Sequence, residues 1–96
     1  MATTPSAQFS LTIRLEIVDR PGMLGRVASA IGDAGGTIGA VDLVAIDGGR
    51  TVRDITALCA EQATWGAITA ALEALDGVRV LDTVDRTFQI HLGGKI

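Results

Sequence analysis

Hydrophobic and polar positions alternate strictly near the start of the chain. Leu11, Ile13, Leu15 and Ile17 interleave with Thr12, Arg14 and Glu16. A period of two with one apolar parity predicts a half-buried strand; Val18 continues it, and Asp19-Arg20 closes it. From Gly22 the spacing becomes helical, with Leu24, Val27, Ala28 and Ile31 on one stripe and Arg26, Ser29 and Asp33 facing away. Gly35-Gly36 ends this helix, because glycine takes the left-handed C′ conformation without a Cβ clash. Thr37 to Asp47 is β-branched and apolar, Asp47-Gly48-Gly49 is a turn signal, and Thr51 to Cys59 is a return strand. In that strand Ile55, Ala57 and Cys59 alternate with Asp54, Thr56 and Leu58, which predicts a hairpin. Gly39 and Asp42 spoil the alternation of its first arm and predict a bulge or a close backbone approach near Gly39. Trp65, Ile68, Leu72 and Leu75 form the stripe of a second helix over Gln62 to Asp76, ended by Gly77 at C′. Val78, Val80, Val84, Phe88, Ile90 and Leu92 share one parity, with Leu81 against it. They predict a long last strand, or one that runs past its sheet and breaks near Asp85-Arg86.

The order β-α-β-β-α-β predicts an α+β, ferredoxin-like sandwich. Two interleaved βαβ units with right-handed crossovers give a four-stranded antiparallel sheet of order 4-1-3-2 with both helices on one face. The second strand is then an edge strand, open for pairing.

Composition narrows the picture. Ninety-six residues make one domain, and with 48% apolar but only 3% aromatic residues the core must be built from Val, Ile, Leu and Ala. A net charge of −3 supplies no bulk positive field for nucleic acid or an anionic membrane. No apolar stretch nears the ~20 residues of a membrane span. Residues 1–9 read as a frayed tail, and Met1 to Ser6 lacks the basic and apolar regions of a signal peptide, so a cytoplasmic protein is expected.

Several chemistries fail on particular residues. The solvent face of the two central strands offers Thr12, Arg14, Glu16, Asp54, Thr56 and Leu58, with no aromatic on which a base could stack. The first loop lacks the cysteine pair of a metal carrier, and Arg20 alone is no phosphate cradle. Cys59 has no disulfide partner and lies in an apolar run, as a small buried hydrophobe would. His91 has no partner at metal-ligand spacing, Asp82 and Asp85 straddle Val84 without a metal motif, and Trp65 belongs to an apolar stripe. A serine elbow, a P-loop and a dinucleotide fingerprint are all missing; Gly32 to Gly36 closes a helix, whereas a dinucleotide loop opens one. Neither a catalytic residue nor a metal ligand is expected.

One stretch remains, the strand-to-helix corner Asp19-Arg20-Pro21-Gly22-Met23-Leu24. Pro21 suits the first helical position, and the N–H groups of Gly22, Met23 and Leu24 would then point outward and could hold an anion. Asp19 can accept from a ligand ammonium or cap the helix, and Arg20 can be a solvated charge or a ligand contact.

Leu15 to Leu24 with Gly35-Gly36-Thr37-Ile38 and Arg53-Asp54-Ile55-Thr56 resembles the ACT domain, over roughly Leu11 to Thr87. The resemblance implies a non-catalytic regulatory module, spanning 10–87, that binds a small amino acid at Asp19, Arg20, Pro21, Gly22, Met23 and Leu24. Thr37 and Ile38 of a paired copy would complete the site in a homodimer, formed through edge strand two. Thr37 stands where family members often carry asparagine, and Ile17 stands where serine-binding members carry a polar residue. Phe88 to Ile96 resembles the junction leading into bacterial NAD-dependent malic enzymes, which makes 88–96 the start of a linker. NAD and a divalent metal are then expected only in a catalytic part beyond this segment, with no cofactor within it. An assembly module of the same fold that binds nothing is the other expectation.

Overall fold

β1 (Phe9–Val18) occupies an inner position of a four-stranded antiparallel sheet of order β2-β3-β1-β4. The computed structural model describes residues 9–87. The elements that follow β1 are α1 (Met23–Asp33), β2 (Thr37–Asp47), β3 (Arg50–Cys59), α2 (Ala63–Glu73) and β4 (Val78–Asp85). The sheet order is the expected one. Phe9 belongs to β1 rather than to a tail; the expectations on Phe88, Ile90, His91, Leu92 and the linker lie outside the described residues.

Alternation in β1 does what its spacing predicts. Leu11, Ile13, Leu15 and Ile17 are buried against Ile55 and Ala57 of β3, Met23, Val27 and Ile31 of α1, and Ile68 and Leu72 of α2. Trp65 packs at the rim of this core and meets Phe9 edge-on, with ring centroids 5.9 Å apart. α1 ends in a Schellman arrangement: Gly35 N–H donates to Gly32 O (3.0 Å) and Gly36 N–H to Ile31 O (2.9 Å), with Gly35 at φ +104. Gly36 is also a packing requirement, since a Cβ there would lie 2.8 Å from Ile68 Cδ1.

The hairpin β2-β3 turns through Gly48 and Gly49, both at positive φ, which suits a two-residue loop matched to strand twist. The expected irregularity near Gly39 is present as a register shift between Ile38 and Val41. A second shift falls between Leu43 and Ala45.

Three local expectations are overturned. Met23, not Leu24, faces the core along with Val27 and Ile31; Leu24 is 39% exposed. α2 is shorter than its stripe suggests, and Gly77 lies in the turn into β4, at φ +85, beyond the Ala74 C-cap. β4 does not keep one parity. A bulge opposite Arg14/Leu15 leaves Leu81 over, so Val78 and Val80 face the helices while Val84, opposite Thr12, lies on the helix-free side.

Candidate functional site

The corner after β1 is where three turns meet. Val18 N–H donates to Gly77 O (2.9 Å), in the turn between α2 and β4, and Asp19 N–H donates to Gly49 O (2.8 Å), at the hairpin tip. A glycine at positive φ sits in each of the three turns, because the tight reversals need the left-handed region: Gly22, Gly49 and Gly77. The corner is thus tied by backbone to both β2-β3 and β4.

Pro21 is not the first helical residue. Pro21 and Gly22 form a turn, Gly22 is the N-cap at φ +85, and α1 begins at Met23. No side chain caps the helix, so Asp19 is not spent there. The Met23 N–H is also not free, since it donates to Arg20 O (3.3 Å). Among the described residues no backbone acceptor is recorded for Gly22 or Leu24 N–H, which leaves two of the three expected donors for an anion. Arg20 reaches back over the turn before β4: its Nη2 lies 3.8 Å from Asp76 Oδ2 and 3.9 Å from Met23 Sδ.

A cavity of about 60 Å³ opens at this corner, lined by Ile17, Val18, Asp19, Arg20, Met23, Leu24, Thr51 and Arg53. Pro21 and Gly22 do not line it. Thr51 and Arg53 are the residues that sequence reading missed. Both share the apolar parity of β3 with Ile55, Ala57 and Cys59, and a hydroxyl and a guanidinium on that parity were the available signal. Thr51 is buried, and its hydroxyl donates a long bond to Ile17 O (3.4 Å).

Thr37 and Ile38 are not brought to this corner. Thr37 pairs with Leu58, whereas Thr51 and Arg50 pair with Ile17 and Val18 at the corner end. Seven residues of β3 separate the two places, roughly 24 Å of strand. Within one chain they lie at opposite ends of the sheet.

The helix-free face of the sheet carries a different electrostatic pattern. Arg14 makes a two-pronged pair with Asp54 (2.8 and 2.9 Å), and Glu16 lies 3.4 Å from both Arg50 and Arg79. The hydrogen bond from Arg14 holds the Asp54 carboxyl below its ordinary value, against the opposing pull of burial. An open depression of about 240 Å³ lies beside this pair, lined by Thr12, Arg14, Asp54, Asp82, Val84 and Arg86. At the end of β4, hydrogen bonds from Thr87 hold the Asp85 carboxyl low, and Ser10 N–H donates to Thr87 Oγ1 (3.1 Å). Burial pushes the Cys59 thiol up from its ordinary value, as befits a core residue. Among the described residues no group of His, Cys, Asp or Glu is arranged to hold a metal ion. No helix among them is long and apolar enough to cross a membrane.

This fold is that of an ACT domain. The ACT domain of a GTP pyrophosphokinase from Chlorobium tepidum superposes on it with a TM-score of 0.61 at 19% identity, covering 80% of this chain and 96% of that one. An uncharacterized protein of Thermotoga maritima, TM1266, superposes with a TM-score of 0.54 at 16% identity, covering 83% and 98%. In sequence the chain is 38% identical over 96 residues to an NAD-dependent malic enzyme of Geobacillus stearothermophilus. It is 40% identical over 86 residues, 88% of the chain, to NAD-dependent malic enzyme 1 of Bacillus subtilis (strain 168). The chain spans about 20% of the length of each of these relatives. No family model matches it.

Proposed function

We propose that this chain is a non-catalytic regulatory domain of an NAD-dependent malic enzyme, the oxidoreductase that decarboxylates malate, and that it binds a small amino acid at the corner. The likeness to about 20% of two malic enzymes supports the parent enzyme. NAD and the divalent metal then belong to the rest of the parent, which would work in the cytoplasm; neither nucleic acid nor a membrane is a partner.

The observation that carries the reading is the separation of the corner from Thr37 and Ile38. β2 is an edge strand with its outer side unpaired. Two copies pairing antiparallel along this edge bring the start of one β2 beside the end of the other. Thr37 of the second copy then arrives near Ile46 and Asp47, at the corner end. One pairing therefore assembles two half-sites from residues that a single chain holds apart. The ligand carboxylate would sit in the corner cavity that Leu24 lines, accepting from the Leu24 N–H group, with Asp19 accepting from its ammonium.

A second reading, an assembly module that binds nothing, is favoured by the small size of the cavity in one chain. Sedimentation of the chain across a concentration series, with and without each of the twenty amino acids, separates the two. A ligand bound across the interface must tighten the dimer. Tightening with one amino acid supports the regulatory reading; a dimer that none of them tightens supports the assembly module.

A further inference from the structure

Arg53 is out of place on its strand. Thr51, Ile55, Ala57 and Cys59 share its parity and are all buried. Its own cross-strand neighbours are Leu15 on β1 and Leu43 on β2. The side chain is half-buried and lines the corner cavity. Arg14, Arg20, Arg50 and Arg79 each lie within ion-pair distance of a carboxylate. Among the described residues Arg53 has neither an ion pair nor a hydrogen bond recorded, and the other arginine in that position, Arg26, is exposed on α1. Asp19 lines the same cavity but does not pair with it; a partly desolvated guanidinium without a direct ion pair is unfavourable, and an anion arriving from outside can supply that pair.

The size of the cavity limits what can enter. About 60 Å³ is well below the ~150 Å³ of a cavity that takes a benzene ring, so it suits a carboxylate rather than a whole aliphatic side chain. The rest of any ligand must lie at the mouth. Across the strand pair from two lining residues, and on their side of the sheet, stand Leu43 (50% exposed) opposite Arg53 and Ile46 (67% exposed) opposite Thr51, while Leu24 on the first turn of α1 lines the cavity itself. Ile17 adds a further apolar wall. A polar body such as that of serine would find no side-chain partner among these, whereas an aliphatic body covers surface that is otherwise wet.

We infer that Arg53 is the side chain that holds the effector's carboxylate, and that the effector is a carboxylate with an aliphatic body: a branched-chain amino acid or the corresponding 2-oxo acid. This rests on the corner being the ligand site. Asp19, also in the lining, distinguishes the two sources, since it pairs with an ammonium and repels a 2-oxo acid.

Calorimetric titration of the chain with valine, leucine, serine, glycine and 4-methyl-2-oxopentanoate tests the assignment. Leucine or valine, or the 2-oxo acid, is expected to bind at least tenfold more tightly than serine or glycine. Arg53→Gln is expected to weaken that binding at least tenfold with the melting temperature maintained, and Arg53→Lys to restore part of it. Asp19→Asn weakens the amino acids and strengthens the 2-oxo acid. Equal affinity for glycine and leucine, or undiminished affinity in a folded Arg53→Gln protein, overturns the inference and leaves the corner site standing. No heat with any of these ligands overturns the inference and the ligand-binding reading together.

Discussion

The two sides of the β3 strand treat charge in opposite ways. On the helix-free side, Asp54 is locked to Arg14 by two hydrogen bonds, and Glu16 serves both Arg50 and Arg79. One residue earlier and on the other side, Arg53 faces the corner cavity with no carboxylate oxygen within 4 Å among the described residues, although Asp19 lines the same cavity. The paired face needs nothing further from its surroundings. The unpaired arginine is the group that the proposal above assigns to the effector's carboxylate. The contrast also separates two of the depressions among the described residues: the one of about 240 Å³ is lined by the paired Arg14 and Asp54, while the one of about 60 Å³ is lined by the unpaired Arg53.

The largest expected effect breaks the floor that both sides share. Leu15 is buried between Arg53 on β3 and Val80 on β4. Leu15→Ala should cost about 2–5 kcal/mol, read by denaturant unfolding, and should loosen both faces. Gly36→Ala comes next. Its Cβ would meet Ile68 at 2.8 Å and Ile31 at 3.0 Å, side chains of the core itself, and overpacking of this kind costs about 1–3 kcal/mol.

Smaller effects sharpen the contrast between the arginines. Arg14→Gln should lower the melting temperature slightly and change its pH dependence. The folded-state pKa of Asp54 is lowered from its ordinary value of 3.8, so the unfolded chain takes up the proton first as pH falls. The stabilisation is complete above roughly pH 5 and is lost as pH drops below about 4 through the folded-state value. Arg14→Gln should therefore flatten the acid limb of a melting-temperature profile below about pH 5. Arg53→Gln should leave the acid limb unchanged and should not lower the midpoint in the absence of ligand, because no pair is broken and a half-buried unpaired charge is removed. A fall in stability equal to that of Arg14→Gln would mean that Arg53 has a structural partner after all.

Much of this fold is legible from spacing. The parity of Leu11 to Ile17, the helical stripe before Gly35-Gly36 and the Gly48-Gly49 turn are each set locally, and the order of elements then dictates the sheet. What spacing missed depends on three-dimensional choices. Met23 and Leu24 both fit an i, i+4 stripe, and which one turns inward depends on how α1, starting after the positive-φ Gly22, packs against the sheet. The bulge at Leu81 reverses parity midway through β4, so a run of valines that looks one-sided is split between two faces. The strand-to-helix corner was legible as a whole, but its internal division was not: the Met23 N–H is used by Arg20, and Pro21 and Gly22 shape the turn without lining the cavity. Arg53 was visible as a charged residue on an apolar parity, yet its meaning required knowing that Asp54 already belongs to Arg14.

Amide and arginine side-chain NMR of the labelled chain, titrated with leucine, tests the central claim most directly. Shifts centred on Asp19 to Leu24, Thr51 and the Arg53 guanidinium, with further changes at Thr37 and Ile38 as the dimer tightens, are the predicted result. Shifts confined to Thr12, Arg14, Asp82 and Arg86 on the helix-free face, or a spectrum that does not move, would contradict it.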